Sequence, residues 1–432
     1  MSTPVFVEVT NTLTVPHTTG YQRHTRELLA RLPGPHATDT PIRFVPVMWC
    51  CACDGYRTLT PAEESSLRRA PDPATVPLSR LTTWSETLPE AVVAAGQKLL
   101  RAPVVTQARR RLRQRRDMVD HPESHRALRT GAWPAGSLFF DLEAAWHNPR
   151  SRRLLLPSLV RDGVVPVTLI ADVMPLQHPE WFDPAVTVRF VDFVEAHLAH
   201  SERFVCISRC AERDLLELAD RIGVTRPMHT SVTTMGADYR AFGAEPDALP
   251  AGLAGRYLLS VGTLEPRKNQ ALLIDAFDRL RARYRDLSLV LVGKQGWKTR
   301  DLVDRIARHP DTGRRLRWMP RTDDAALEVL YRNAFLAVTP SLYEGFGTPV
   351  IEALACGVPT LASDRGALPE AGGRWAEFFD PDDLEALVAL IERHLSDPDH
   401  HRARRTALEA YRPPTWDDGA RVIQETLAGL LP

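Results

Sequence analysis

Short apolar runs rich in β-branched residues recur along the chain. Stretches with apolar residues three and four apart lie between them. VFVEV, RFVPVMW, SLFFDL, PVTLIADV and RFVCIS come first, then RYLLSVG, LSLVLVG, FLAVTPS and PTLAS. Near-continuous runs of this length suit strands buried on both faces. QALLIDAFDRLRARY and DDAALEVLYRNAF, which alternate with the later set, carry helical spacing. Such alternation predicts parallel sheets covered by helices on both faces, an α/β fold.

Between the two sets, DYRAFGAEPDALPAG at 238–252 is rich in Pro, Gly and Ala and has no clear period. It reads as a linker. The expected organisation is one domain over 1–240, a second over 253–410, and a terminal helix in 411–432 that packs back across the junction. The 432 residues suit two to three domains. Residues 45–135 fit the sheet pattern poorly.

Composition changes this picture little. Apolar residues at 44% and charged residues at 25% describe a globular chain with substantial cores. The net charge is zero, so nothing global points to nucleic acid or an anionic membrane. The exception is local: QARRRLRQRR at 107–116 has six arginines in ten residues. It reads either as a solvated helix face or as a patch for an anionic acceptor or membrane surface. The start, MSTPVFVEVTNT, lacks a basic segment followed by an apolar one, so no signal peptide is expected. No run of 18 apolar residues exists to span a bilayer. The six cysteines suit a reducing cytosol, and the CCAC cluster at 50–53 lacks a second ligand pair at zinc spacing. The expected location is cytoplasmic, with peripheral contact at the inner face of the membrane as the functional reading of the arginine stretch.

Candidate chemistry concentrates in SLYEGFGTPVIEALACGVP at 341–359, where Glu344 and Glu352 bracket a glycine-rich turn with seven residues between them. FLAVTPS predicts a buried strand, and the loop at its carboxyl end lies where open α/β sheets bind ligands. Thr348 suits an N-cap and Pro349 the first helical position. The helix then stops at Gly357. Its first N–H groups, with those of Gly345 and Gly347, form a phosphate site. Glu352, one turn inside the helix, reaches a sugar hydroxyl beside the phosphates, and Glu344 lies on their far side. The plain alternative is a surface glutamate plus a helix-start glutamate favoured by the macrodipole.

A second stretch tips the balance. YLLSVGTLEPRKNQALLIDAF reads as strand, loop and helix, with Arg267 and Lys268 ending the loop and Asn269 capping the helix. Two cations there can neutralise a diphosphate, although solvated loop cations are the bland reading. LVLVGKQGWK repeats the design, with Lys294 and Trp297. Arginine outnumbers lysine 50 to 4, yet three of the four lysines, Lys268, Lys294 and Lys298, fall within 31 residues.

Together SVGTLEPRKN, LVLVGKQGW, LYRNAFLAVTPSLYEGFGTPVIEALACGVPTLASDRGALPEAGG and FFDPDDLEAL resemble retaining glycosyltransferases of family 4. The resemblance spans nearly all of 253–395. It implies the GT-B fold, two Rossmann-like domains facing across a cleft. In that family the first glutamate of the E-x7-E motif contacts the donor hexose, which maps to Glu344. The second contacts the nucleotide ribose, which maps to Glu352. The Arg/Lys pair on the diphosphate maps to Arg267 and Lys268. Lys294, Gly345, Phe346, Gly347 and Thr348 complete the donor side.

The first half matches more loosely. FVEVTNTL and TTGYQRHTREL look like a segment of a mannosyl- and rhamnosyltransferase-like subgroup, which places Gly20 and Arg23 near the donor phosphates. LIADVMPLQHPEWF looks like the subgroup's I-H-D-L-I-P segment, with Asp172 kept and Ala171 in place of the histidine.

The resemblance implies transfer with retention of anomeric configuration from a nucleoside-diphosphate sugar. A GDP-mannose-like donor is favoured and a UDP-hexose is the other choice. The acceptor is a saccharide or small-molecule hydroxyl. The leaving diphosphate takes the acceptor's proton, and Arg267, Lys268 and the helix starts stabilise its charge. Glu344 and Glu352 then bind donor hydroxyls and are not a glycosidase pair. Asp172 orients the acceptor or supports the positive sugar, or is a plain strand-end turn residue. The DPD triplets at 380–382 and 397–399 fall in loops and no Asp-x-Asp follows a strand, so no essential metal or other cofactor is expected. Two rivals stand: another GT-B enzyme, such as a phosphorylase or an epimerase, and a non-catalytic glycosyltransferase-like nucleotide-binding subunit.

Overall fold

The computed structural model describes residues 2–15, 20–50, 54–68, 133–237, 249, 253 and 255–431. The arginine stretch 107–116 and nearly all of 238–252, the expected linker, lie outside the described residues.

Two sheets organise the chain. The first has seven strands: β1 (Thr3–Glu8), β2 (Ile42–Cys50), β3 (Gly55–Thr58), β4 (Leu138–Asp141), β5 (Val165–Ile170), β6 (Arg203–Cys206) and β7 (His229–Val232). Their order is β3-β2-β1-β4-β5-β6-β7, parallel except for the antiparallel β2–β3 pair. The second has six: β8 (Tyr257–Val261), β9 (Ser288–Val292), β10 (Leu316–Met319), β11 (Leu336–Thr339), β12 (Thr360–Ser363) and β13 (Glu377–Phe379). Its order is β10-β9-β8-β11-β12-β13, parallel throughout. The α/β organisation expected from the sequence is therefore present. Strand order reverses between β1 and β4 in one sheet and between β8 and β11 in the other. Open sheets of this kind leave a crevice at the carboxyl ends of such strands.

All nine apolar runs became strands. Four more strands carried too weak a signal to read. Three of these, β7, β10 and β13, are short edge strands whose residues are mostly part-exposed, so burial imposes no apolar run on them. β3 is short and interrupts the parallel order.

The terminal helix Trp416–Ala428 starts at a reciprocal cap between Thr415 and Asp418. It belongs to the core of the first sheet, not the second. Trp416, Ile423 and Leu427 are fully buried in one cluster with Val5, Val7 and Phe44. Phe346 and Ile351, from the other side of the chain, join the same cluster. The two sheets' layers are thus tied by shared apolar packing at the junction.

Polar contacts reinforce that tie. The Ser208 hydroxyl donates to the Gly345 carbonyl at 2.6 Å. The Trp297 indole N–H donates to the Trp181 carbonyl at 2.6 Å. Backbone N–H groups of Arg209 and Cys210 donate to Glu370 at 3.0 and 3.3 Å. Among the described residues, no helix is long and apolar enough to cross a membrane.

Candidate active site

The loop leaving β8 turns through Pro266–Lys268 and delivers Arg267 and Lys268 to the crevice. The loop leaving β11 delivers Ser341 and Glu344 to the same place. Arg267 donates to Glu344 Oε2 at 2.7 Å, Lys268 pairs with Oε1, and the Ser341 hydroxyl donates to Oε1 at 2.7 Å. Glu344 is buried. Burial alone raises a carboxyl pKa, but Lys268 and Arg267 overcome it and hold Glu344 at about 2. It is therefore ionised at neutral pH.

Glu265, four-hundredths exposed, shares Arg267 at 2.7 Å. The sequence reading did not single it out; its signal was its place two residues before Arg267 in TLEPRK. One guanidinium between two carboxylates is fixed in direction, which a long exposed arginine is not.

Backbone geometry sets the turn. Gly347 has φ +108°, and a Cβ there would lie 3.0 Å from Leu368 Cδ2 and 3.1 Å from Ala371 Cβ. Gly347, not Thr348, is consequently the N-cap of the helix Thr348–Ala355, and Pro349 occupies its second position. The chain must bend through a left-handed residue under Leu368, and only glycine does so without strain. The Thr348 hydroxyl instead faces Met235 Sδ at 3.7 Å. Asn269 likewise stands at an N-cap, in left-handed conformation, but its side chain makes no cap; it donates to the Pro381 carbonyl at 3.2 Å.

Glu352 lies one turn inside its helix and is buried. Tyr331 donates to its Oε2 at 2.8 Å, and Arg23, from the helix Gly20–Leu29, stands 3.4 Å from its Oε1. Arg23 also pairs with Asp324. Arg23 therefore sits on the Glu352 side of the turn, while Arg267 and Lys268 sit on the Glu344 side. Tyr331 and Asp324 were not read from sequence, because they act from the helix Asp324–Asn333 that only packing brings near.

Gly345 marks the contact between the two halves. A Cβ at this position would fall 2.2 Å from the Ala171 carbonyl oxygen and 3.0 Å from Asp172 Cβ. Asp172, just beyond β5, thus abuts the turn, within electrostatic reach of Arg267, Glu344 and Glu265. Desolvation raises its carboxyl to about 6 against the pull of Arg267. Tyr21 lies in the same field, feeling both Asp172 and Arg267. The residue that departs from the subgroup, Ala171, contributes its backbone here.

Other expected residues sit apart. Phe346 buries its side chain in the first sheet's cluster. Lys294 is exposed on the loop after β9, its carbonyl accepting from Leu264 N at 2.9 Å and its ammonium near Glu265. Gly20 opens the helix Gly20–Leu29, with nothing among the described residues within 4 Å of an added Cβ. At the first sheet's own reversal, Glu143 accepts the N–H groups of Asn11 and Thr12, each at 2.6 Å, and so pins the loop after β1. Desolvation and the nearby Glu8 raise its carboxyl to about 8.

Residues 245–410 match the family described as glycosyl transferases group 1. The chain is 26% identical over 288 residues to the serotype-specific mannosyltransferase WbdA of Escherichia coli, covering 64% of this chain and 35% of that protein. It thus spans about a third of that relative's length. It is 27% identical over 408 residues to the MMP alpha-(1->4)-mannosyltransferase of Mycolicibacterium hassiacum, covering 90% of this chain and 87% of that one. The crystal structure of Anabaena HepE in complex with UDP and glucose is similar with a TM-score of 0.55 at 15% identity, covering 98% of this chain and 95% of that one. The two-sheet architecture is the GT-B fold. The match to the glycosyl transferases of group 1 thus covers the part of the chain that carries Arg267, Lys268, Glu344 and Glu352.

Proposed function

We propose that the protein is a retaining glycosyltransferase that moves a hexose or deoxyhexose from a nucleoside-diphosphate sugar to a hydroxyl of a saccharide or small-molecule acceptor. The observation that carries this reading is the convergence of Arg267 and Lys268 on Glu344 at the carboxyl ends of β8 and β11, with Asp172 of the first domain against the same turn. GDP-mannose is the favoured donor, since two relatives with long matches are mannosyltransferases.

In this scheme Glu344 orients the hexose and Glu352 the ribose. Arg267 and Lys268 take the charge that develops on the leaving diphosphate. A fixed cation in a partly desolvated site stabilises such charge without reorganising. The anomeric carbon loses its diphosphate oxygen and gains the acceptor oxygen on the same face. The acceptor's proton passes to the departing phosphate. Asp172 faces the sugar from the first domain, where a carboxylate supports positive charge at the anomeric carbon. The acceptor side belongs to the first domain, and the arginines at 107–116 would serve an anionic acceptor or a membrane surface.

Thermal shift with a panel of nucleoside diphosphates, followed by donor hydrolysis assays, tests the reading. A ligand at one hundred times its Kd stabilises the native state by about 2.7 kcal/mol. GDP is expected to raise the melting temperature most, and GDP-mannose to be slowly hydrolysed. No shift with any nucleoside diphosphate and no hydrolysis of any donor would overturn it.

A further inference from the structure

The other end of the second sheet carries a cluster that the transfer reaction does not use. Glu377 begins β13, and Phe335 immediately precedes β11, so both lie at the amino ends of their strands. The crevice lies at the carboxyl ends. His394, on the helix Leu384–Ser396, and His400, on the helix Pro398–Ala407, converge on Glu377.

Nε2 of His394 is 2.8 Å from Glu377 Oε2, and Nε2 of His400 is 3.3 Å from Oε1. One ligand atom from each of the three lies within 4.8 Å of the other two. Tetrahedral zinc, with bonds of about 2.0–2.2 Å to nitrogen and carboxylate oxygen, holds its ligands roughly 3.3–3.5 Å apart. The 3.3 Å between His400 Nε2 and Glu377 Oε1 matches that spacing, and the 2.8 Å between His394 Nε2 and Oε2 is about half an ångström shorter.

Hydrogen bonding supplies an independent observation. Nε2 of His400 is buried and makes no hydrogen bond, although the Glu377 carboxylate faces it. A buried imidazole nitrogen without a partner is costly. A cation between it and Oε1 removes the cost by using the nitrogen lone pair.

The surroundings also suit ligation. Nδ1 of His394 lies 3.1 Å from Nδ1 of His401, whose ring stacks on Phe335 at 4.1 Å. With the shared proton on His394 Nδ1, its Nε2 presents a lone pair toward Glu377. Metal-bound histidines are commonly oriented in this way by an acceptor on the other nitrogen. Arg404 Nε stands 3.3 Å from Glu377 Oε2 and its guanidinium also donates to the Trp375 carbonyl at 2.6 Å. It holds one carboxylate oxygen and leaves Oε1 toward His400, while its positive charge limits the affinity.

We propose that Glu377, His394 and His400 form a zinc site, with water in the fourth position, that staples β13 to the two helices following it. Its place at the amino ends of the strands makes it structural and separate from sugar transfer.

The test uses the full chain without a polyhistidine tag. Zinc titration by calorimetry, cobalt(II) absorption and thermal shift are compared between the wild type, His400→Ala and Glu377→Gln. The wild type is expected to bind one equivalent at this site and gain melting temperature. Its cobalt form should show d–d bands of a nitrogen and oxygen site without a thiolate charge-transfer band. Each variant, folded as judged by its metal-free melting curve, should bind at least tenfold more weakly. Equal zinc affinity in wild type and variants, binding only with the thiolate band of the Cys50–Cys53 cluster, or no binding at all would overturn the site.

Discussion

Arg267 donates to Glu344 Oε2 at 2.7 Å while a second carboxylate, Glu265, holds the same guanidinium at 2.7 Å. The cation is thus aimed before any ligand arrives. Removing it takes that partner from buried Glu265 and leaves Glu344 to Lys268 and Ser341.

Arg267→Ala and Lys268→Ala are each expected to lower turnover by about 10²–10³, the usual loss for one charge-stabilising donor. Arg267→Ala should also cost stability, since breaking a buried pair destabilises by about 3–5 kcal/mol. Steady-state kinetics and urea unfolding on purified variants check both. Wild-type turnover in either variant would remove the pair from the mechanism.

The two bracketing glutamates should separate by ligand. Losing a charged partner to a buried hydroxyl costs roughly 1.5–3 kcal/mol. Glu352→Gln is expected to weaken both the free nucleoside diphosphate and the intact donor. Glu344→Gln should leave the free nucleotide nearly unchanged and weaken donor binding or turnover. Calorimetry with both ligands decides, and equal loss of the bare nucleotide in both variants contradicts the assignment.

Asp172 sets an acid limb. Its carboxyl is raised to about 6, so it ionises as pH climbs through that value. If the carboxylate supports the anomeric carbon, kcat/KM falls below about pH 6, and Asp172→Asn is slow and lacks that limb. The linkage to stability has the opposite direction: a raised carboxyl pKa favours the native state below the unfolded value near 3.8 and loses that contribution as pH rises through 6. Glu344, held at about 2, contributes stability above 4.5 that is lost as pH falls toward 2. Melting curves across pH 2–7 for wild type, Asp172→Asn and Glu344→Gln resolve the two windows.

Gly345→Ala and Gly293→Ala should fail differently. At Gly345 the new methyl meets the Ala171 carbonyl at 2.2 Å, so it is expected to push the two halves apart and cut turnover more than tenfold. At Gly293 it meets the Gly262 carbonyl at 2.2 Å within the second sheet's own loops, so destabilisation of about 1–3 kcal/mol is expected. Small-angle scattering and thermal melting distinguish separation from unfolding.

Chelation is expected to leave turnover unchanged. Among the described residues, the group able to hold a metal, Glu377, His394 and His400, lies at the amino ends of the strands and away from Arg267 and Glu344. A melting temperature that drops on adding EDTA while initial rates hold would fit. Turnover abolished by EDTA and restored by Mg²⁺ or Mn²⁺ would not.

The sequence by itself determined the central strands, the α/β class and the strand–turn–helix that carries Glu344 and Glu352. VFVEV and LSLVLV became β1 and β9 because strands buried on both faces tolerate little but apolar residues. Glu344 and Glu352 were legible because a strand, a glycine turn and a helix start follow one another within a few residues. Only the tertiary structure decided what lies across from them. Arg23 on Glu352 and Asp172 against Gly345 depend on how the two sheets meet. Trp416, fully buried beside Val5 and Phe44, shows the same at larger scale: its apolar spacing told that the helix must bury a face, and only packing told which sheet receives it. Local pattern is written in nearest-neighbour chemistry, whereas partners hundreds of residues apart share no period that a single chain displays.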